Sequence, residues 1–398
     1  MTREKPTNNF FHKLIKDKVA IVALSFLIII FFIALFAYLI IFDSSHNVNT
    51  QMIEISLKKP GFTVWLLKKR KNIDCKTTSF LQQLLYGKEA CYEYIPLDSN
   101  ILIINGNQAK FLKYAEKGES PDTLSINLAD IIYPVKKIID NPDGSQTIIT
   151  VNNKKVKTNT SQIFKTIASS YLIKHKFWLG TDRFGRDVLS RLLVGLRLSL
   201  AIGLVSVFIS IIIGLFFGSL SGYFGGIVDD IIMWFVNVMW SIPTLLLVIA
   251  LTMVMGKGFW QIFIAVGLTM WVEVARVVRG QILSLKKKDF IEAAHVLGYH
   301  HSRIIYKHIL PNVIAPVIVI SASNFASAIL IEAGLSFLGV GIQPPMPSLG
   351  NMIKENYGYL LVGLPHLSII PGIVIMLLVL SFIIIGNALR DILDVRNK

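Results

Sequence analysis

The chain has 398 residues, of which 53% are hydrophobic and only 16% charged, and its formal net charge is +15. A soluble globular domain carries about 25% charged residues, so the composition excludes an ordinary soluble protein and indicates a membrane protein. Nucleic acid does not explain the positive balance, because no basic run alternates with aromatics; Lys and Arg collect on the cytoplasmic flanks of membrane spans.

In chain order, the first predicted element is an apolar stretch from Val19 to Phe42, free of charge until Asp43. At about 1.5 Å per residue it crosses a hydrocarbon core of about 30 Å. No small-residue cleavage site follows a short apolar core, so it reads as a retained anchor. The polar stretch from Asp43 to Lys176 comes next. "QTIITV" is β-branched, "NPDGS" and "NN" are turn chemistry, and "GFTVWLL" and "NILIIN" are apolar runs, so a small α+β domain is expected here. It holds the only cysteines, Cys75 and Cys91. In an oxidising compartment they either pair, closing a loop of about 15 residues worth ~3 kcal/mol, or remain free thiols. No metal-ligand spacing is present.

"TDRFGRDVLSR" (Thr181 to Arg191) then reads as an amphipathic helix on the outer surface, with Asp182 and Asp187 placed to pair with its arginines. Five further spans are expected: Leu198 to Leu220, Ile231 to Met255, Ile262 to Leu283, Val313 to Leu335 and Leu367 to Leu389. Pro243 is an isolated candidate break. Inside the fourth span Glu273 precedes Arg276 by one helical turn. An intramembrane carboxylate is a candidate pathway group by default, but Arg276 three residues on makes an intrahelical ion pair the expected reading. Glu332, near the outer end of the fifth span, faces either the pathway or interfacial water.

Six spans put both termini on one side. Arg3, Lys5, Lys13, Lys16 and Lys18 precede the first span. Arg279, Lys286, Lys287, Lys288, Arg303 and Lys307 surround the fourth-to-fifth connection, and Arg390, Arg396 and Lys398 follow the last span. Only Lys257 and Lys354 mark the two connections on the other face, so both termini are expected in the cytoplasm. The organisation is residues 1–42 as terminus and first span, 43–176 as extracytoplasmic insert, and 177–398 as a five-span core with a charged cytoplasmic loop at 286–311.

That loop, "KKKDFIEAAHVLGYHHSRIIYKHILPN", parses as two short helices. Asp289 is a candidate N-cap with Glu292 closing a capping box. Phe290 to Leu297 forms the first helix, and Gly298 ends it in a left-handed conformation. Ser302 caps the second helix, and Pro311 ends it or kinks it into the next span. Ala293 and Ala294 keep the first helix slim. Its tip, "LGYHHS", suits docking into a partner groove. The histidines have no carboxylate or Cys partner spaced for a metal.

The pattern "EAA…G…LP" from Glu292 through Gly298 to Leu310–Pro311 resembles the coupling motif of ABC importer permeases, with His308 where the general pattern has isoleucine. "LGTDRFGRDVLSRLLVGLRLSL", "GYFGGIVDDIIM", "ARVVRGQILSL", "EAGLSFLGVGIQPPMPSLGNM" and "LRDILDVR" are similar to the C-type permease of dipeptide and oligopeptide importers. The resemblance implies an all-α polytopic protein with six transmembrane helices of the type I importer kind, carrying the α+β insert after the first helix. It implies a bacterial inner-membrane subunit paired with a B-type permease, two ATPase subunits and an extracytoplasmic solute-binding protein. Coupling to the ATPases then falls to Glu292, Ala293, Ala294, His295, Gly298, Tyr299, His300, His301 and Ser302. ATP and Mg belong to the partner subunits, since the chain has no GxxxxGK[ST] loop, and no catalytic set or cofactor is expected here. The solute class implied is di- or oligopeptides, with nickel or another small solute as the alternative. A secondary transporter is the rival from another class, but it needs internal repeats, and none stands out. A membrane-anchored binding protein would leave the five later spans without a purpose.

Overall fold

A computed structural model describes residues 16–75, 78–100, 103–116, 118–141, 145–256 and 258–393. Arg3, Lys5, Lys13, Lys257, Arg396 and Lys398, counted above for orientation, lie outside them, as do residues 101–102 of "NILIIN" and 142–144 of "NPDGS".

The membrane part is a bundle of long apolar helices. Helix α1 (Lys18–Leu35) is capped by Asp17, whose carboxylate accepts the amides of Val19 and Ala20, and it continues past a kink at Phe36 into α2 (Ala37–Ile40). After the insert come α6 (Val188–Phe224), α7 (Gly226–Ser241), α8 (Thr244–Met255) and α9 (Phe259–Leu285). The core closes with α12 (Leu310–Leu338) and α14 (His366–Leu393), with the short α13 (Leu349–Asn356) between them. Among the described residues five helices are long and apolar enough to cross a membrane, or six if the bent pair α7–α8 is one span.

Two expectations are corrected. Ile231 to Met255 is not one straight helix, because α7 and α8 meet at 95°. Pro243 supplies no amide and holds Ile242 extended (φ −91°, ψ 129°), which ends the first helix there. The stretch from Thr181 to Arg191 is not an amphipathic surface helix. The Asp182 carboxylate accepts the amides of Phe184 (2.9 Å) and Arg186 (3.0 Å), and Gly185 takes φ +68°, so a tight turn forms instead. Asp187 accepts from the Ser190 amide and caps α6, which therefore starts ten residues before the expected span.

The insert is α+β. Strand β1 (Phe62–Arg70) lies between β2 (Tyr92–Leu97) and β9 (Leu172–Phe177). A second sheet joins β3 (Ile103–Asn105), β4 (Gln108–Leu112) and β5 (Thr123–Asn127); a third joins β6 (Val135–Asp140), β7 (Gln146–Thr150) and β8 (Lys155–Thr158). All named pairings are antiparallel. The alternating pattern of β7, with Ile148 fully buried, feeds a core shared with Leu67, Leu97, Phe111, Leu128 and Ile163. Three short helices complete it: α3 (Phe80–Tyr86), α4 (Leu128–Ile132) and α5 (Thr160–Thr166). Cys75 and Cys91 are joined in a disulfide.

The insert is fastened at its root. The Met52 amide donates to Phe184 O (3.1 Å), the Leu57 amide to Asp182 O (3.0 Å), and the Lys58 amide to the Thr181 hydroxyl (2.9 Å). Residues 52–58 thus run against the turn that starts α6.

Candidate functional site

The loop between α9 and α12 folds as two helices, α10 (Asp289–Val296) and α11 (His301–Ile304). The caps sit one or two residues from where the residue types suggest. Lys288 (φ −92°, ψ 139°) is the N-cap of α10, so Asp289 is its first residue and acts through the helix dipole rather than as a cap. His300 caps α11, its Nδ1 accepting from the Ser302 amide and lying 3.0 Å from the Ser302 hydroxyl. Gly298 takes φ +70°. Its amide donates to His295 O (2.9 Å) and the Tyr299 amide to Ala294 O (3.1 Å), closing a Schellman turn. Past α11 a π-turn (Ile305–Ile309) leads directly into α12, with Pro311 in its first turn, where the missing amide costs nothing.

One face of this hairpin is anchored. Ile291, Ala294, Ile304 and Ile309 are buried against Val278 and Ile282 at the end of α9. The Tyr223 hydroxyl, at the end of α6, lies 2.7 Å from His301 Nδ1, and its ring stacks on His295 at 6.1 Å. Lys286 Nζ donates to Tyr223 O (2.7 Å), and Arg279 grips Asp229 through two hydrogen bonds of 2.6 and 2.5 Å. The ends of α6, α7 and α9 and the loop are therefore tied together. The opposite face is open: Phe290, Val296 and Leu297 are exposed (44%, 82% and 68%), with Ala293 and Glu292 exposed between them. Positions 290, 293, 296 and 297 share one side of the helix, so an apolar stripe about two turns long points outward. Tyr299 is half-buried under Arg303, and His300 is exposed.

The residues that lock the hairpin to the spans, Tyr223, Asp229 and Arg279, were not among the candidates from sequence. Their signal was present: an Asp and an Arg inside or at the edge of apolar stretches need partners.

A second feature lies at the α7–α8 bend. A cavity of about 290 Å³ is lined by Trp240, Thr244, Thr269, Glu273 and Ser327, among others. The ion pair expected between Glu273 and Arg276 does not form among the described residues. Arg276 donates to Asn237 Oδ1 (2.6 Å) and lies 3.8 Å from the Trp240 ring centroid. Both partners lie on α7, so the guanidinium is engaged across the helix contact rather than with Glu273. Glu332 is not exposed at the surface of the chain. It is fully buried between α6 and α12 and accepts from the hydroxyls of Ser199 (3.1 Å) and Ser336 (2.8 Å).

Residues 198–398 match the family described as "Binding-protein-dependent transport system inner membrane component", and residues 5–60 match "N-terminal TM domain of oligopeptide transport permease C". The chain is 41% identical over 221 residues to the glutathione transport system permease protein GsiD of Pectobacterium atrosepticum, covering 56% of this chain and 73% of that protein. It is 39% identical over 223 residues to the oligopeptide transport system permease protein OppC of Bacillus subtilis, covering 54% and 71%. Among solved structures, the MetNI methionine ABC transporter in an inward-facing conformation aligns with 22% identity and a TM-score of 0.42, over 50% of this chain and 95% of that one.

Proposed function

The chain belongs to the family of binding-protein-dependent transport system inner membrane components, and from that premise we propose that it is the C-type permease of an ATP-driven importer of di- or oligopeptides. The relatives are named for dipeptides, oligopeptides and glutathione, all peptide-like solutes. Family membership makes the chain a non-enzymatic, multi-pass component of the inner membrane working with a binding protein and ATPases. In our reading a B-type permease completes the pathway, both termini and the loop at 286–311 lie in the cytoplasm, and the insert lies outside. Glu273, on the cavity at the α7–α8 bend, is the pathway group we favour, because its carboxylate is free of Arg276 and could meet a cationic solute group. Glu332 has the weaker claim, since its partners are hydroxyls inside the helix packing.

One observation carries the coupling assignment. α10 is held to the spans on one face and offers an apolar stripe on the other. Such a helix can seat in a groove of a separate subunit and carry its motion as a rigid body into α6, α9 and α12. Glu292, Ala293, Ala294, His295, Gly298, Tyr299, His300, His301 and Ser302 shape this element. His295 and His301 do so from the inner side through Tyr223, and His300 and Ser302 through the cap of α11.

The test is Val296→Asp, which puts a charge on the stripe at a position 82% exposed, where folding of the chain does not depend on it. Affinity purification from detergent is expected to lose the ATPase subunits while the second permease is retained, and ATP-driven peptide uptake in vesicles is expected to fall by tenfold or more, roughly the loss of one interface hot spot. ATPase retention and uptake at the level of the unsubstituted protein would exclude this stripe as the coupling surface.

A further inference from the structure

The loop closed by the Cys75–Cys91 disulfide carries α3, and its composition is unusual for a domain facing water. From Thr77 to Gly87 there is no charged residue. Phe80, Leu81, Leu85 and Tyr86 are exposed at 63%, 65%, 50% and 62%, a denser apolar display than soluble surfaces present.

The position of α3 shows what this display meets. Lys18 and Ile40 bracket the first span, and 22 residues of helix rise about 33 Å, one hydrocarbon thickness. α2 therefore ends at the outer boundary of the bilayer. α3 is fastened at that level and does not project toward bulk water. The Tyr38 ring of α2 packs so tightly on Gly87 that a Cβ there would lie 2.9 Å from it. The Lys88 amide donates to Ser44 O (2.7 Å), and Arg197 of α6 donates to Leu84 O (2.6 Å). Arg197 also lies 5.6 Å from the Tyr38 ring centroid, and below it the surface continues as an apolar groove lined by Phe31, Phe32, Leu35, Leu200 and Leu204. A guanidinium at the upper end of a lipid-facing groove marks headgroup depth, because a long cationic side chain reaches for the interface.

We propose that α3 is a monotopic membrane anchor, its face of Phe80, Leu81 and Leu85 embedded in the outer leaflet at the headgroup–acyl boundary, with the disulfide holding the loop down. The occupant of this face is lipid. An uncharged helix with an apolar face held beside a span at headgroup height meets lipid first, and interfacial helices bury such faces about 5–10 Å into the boundary. The consequence is a second attachment of the insert, independent of its root at residues 52–58, which fixes its tilt over the membrane.

The test uses the full chain in lipid nanodiscs with phosphatidylcholine and phosphatidylglycerol. Phe80→Cys, Leu81→Cys and Leu85→Cys are spin-labelled one at a time, and collisions with oxygen and with a water-soluble nickel chelate are compared. Oxygen is expected to dominate at all three positions, with the order reversed at Glu119→Cys, an exposed control in the same insert. Dominance of the nickel chelate at the three positions would put α3 in water and overturn the proposal. Protection from both reagents would put protein over the face and overturn it equally. The unsubstituted protein gives a second reading: a phosphatidylcholine with a photoreactive group near the headgroup should label the peptide spanning residues 79–87, and absence of label there would count against lipid contact.

Discussion

His175 shows how one side chain sets a condition for the insert. It sits on β9 opposite Val64, stacked on Phe42 with centroids 3.7 Å apart and edge-on to Phe177 at 4.7 Å. Burial among these rings disfavours the imidazolium and pushes its pKa down to about 4. In the unfolded chain the ring titrates near 6.5. Between those values the unfolded state binds the extra proton, so the stability given by the neutral ring is complete above about pH 6.5 and is lost as pH falls toward 4. Amide exchange in β1 and β9, measured by mass spectrometry on the full protein, should be faster at pH 5 than at pH 7.5 after correction for intrinsic rates. His175→Phe, which keeps the ring and removes the titration, should flatten that difference. Equal protection at both pH values in the unsubstituted protein would mean the ring takes its proton without cost. Other residues act through packing alone. Gly185 is the plainest case, because a Cβ there would lie 1.8 Å from Met52 O, so only glycine lets the root of the insert cross the turn.

At the scale of elements, the contact between α6 and α9 is built on glycine. Gly214, Gly218 and Gly222 repeat every fourth residue on one face of α6. A Cβ at Gly214 would meet Val274 Cβ at 2.5 Å, and one at Gly218 would meet Ala275 O at 2.6 Å. Small residues at this spacing let two membrane helices approach backbone to backbone. Gly218→Leu should push the helices apart and destabilise the protein by about 1–3 kcal/mol, as overpacking does. Gly280→Ala is the opposite case, because its Cβ meets nothing within 4 Å and the site is helical. It should stabilise by about 0.4–1 kcal/mol. Thermal aggregation midpoints in detergent should move in opposite directions, and a Gly218→Leu midpoint at or above that of the parent would refute the packing argument. The same elements show what a sequence can disclose. Length and hydropathy locate the long helices other than the bent pair α7–α8, and Gly298 ends α10 as its residue type requires. The GxxxGxxxG stripe was equally readable, since the spacing alone carries it. The turn at Thr181–Asp187 was not: charged residues at helical spacing suggest a surface helix, and only the partners Asn49 and Glu355, distant in sequence, make a turn the better home for Arg186. The surroundings of Glu332 escaped for the same reason, because Ser199 lies on another helix, 133 residues away.

Across the whole molecule, α6 is the common member. At about 1.5 Å per residue its 37 residues run about 55 Å, from the root of the insert to Tyr223 beside the loop hairpin. At the end beside the insert a buried ionic cluster joins three chain regions. Arg186 pairs with Asp182 (2.6 Å) and Glu355 of α13 (2.7 Å) and donates to Asn49 Oδ1 (3.2 Å). Arg191 lies 3.7 Å from both carboxylates. Asn49 belongs to the insert, Arg186 and Arg191 to the start of α6, and Glu355 to the connection between α12 and α14, so a movement of this rim of the bundle carries the insert with it. The arginines are 3% and 2% exposed, which leaves little water to replace a lost partner. Removing one member of a buried set costs about 3–5 kcal/mol, because the remaining charge stays buried. Glu355→Gln keeps the shape and removes the charge, leaving two guanidinium groups to share Asp182. The expected result is a lower melting midpoint together with faster tryptic cleavage after Lys58, at the end of the fastened root. If Glu355→Gln melts and digests like the parent protein, the cluster does not hold the insert to the bundle, and the hydrogen bonds of residues 52–58 do so alone.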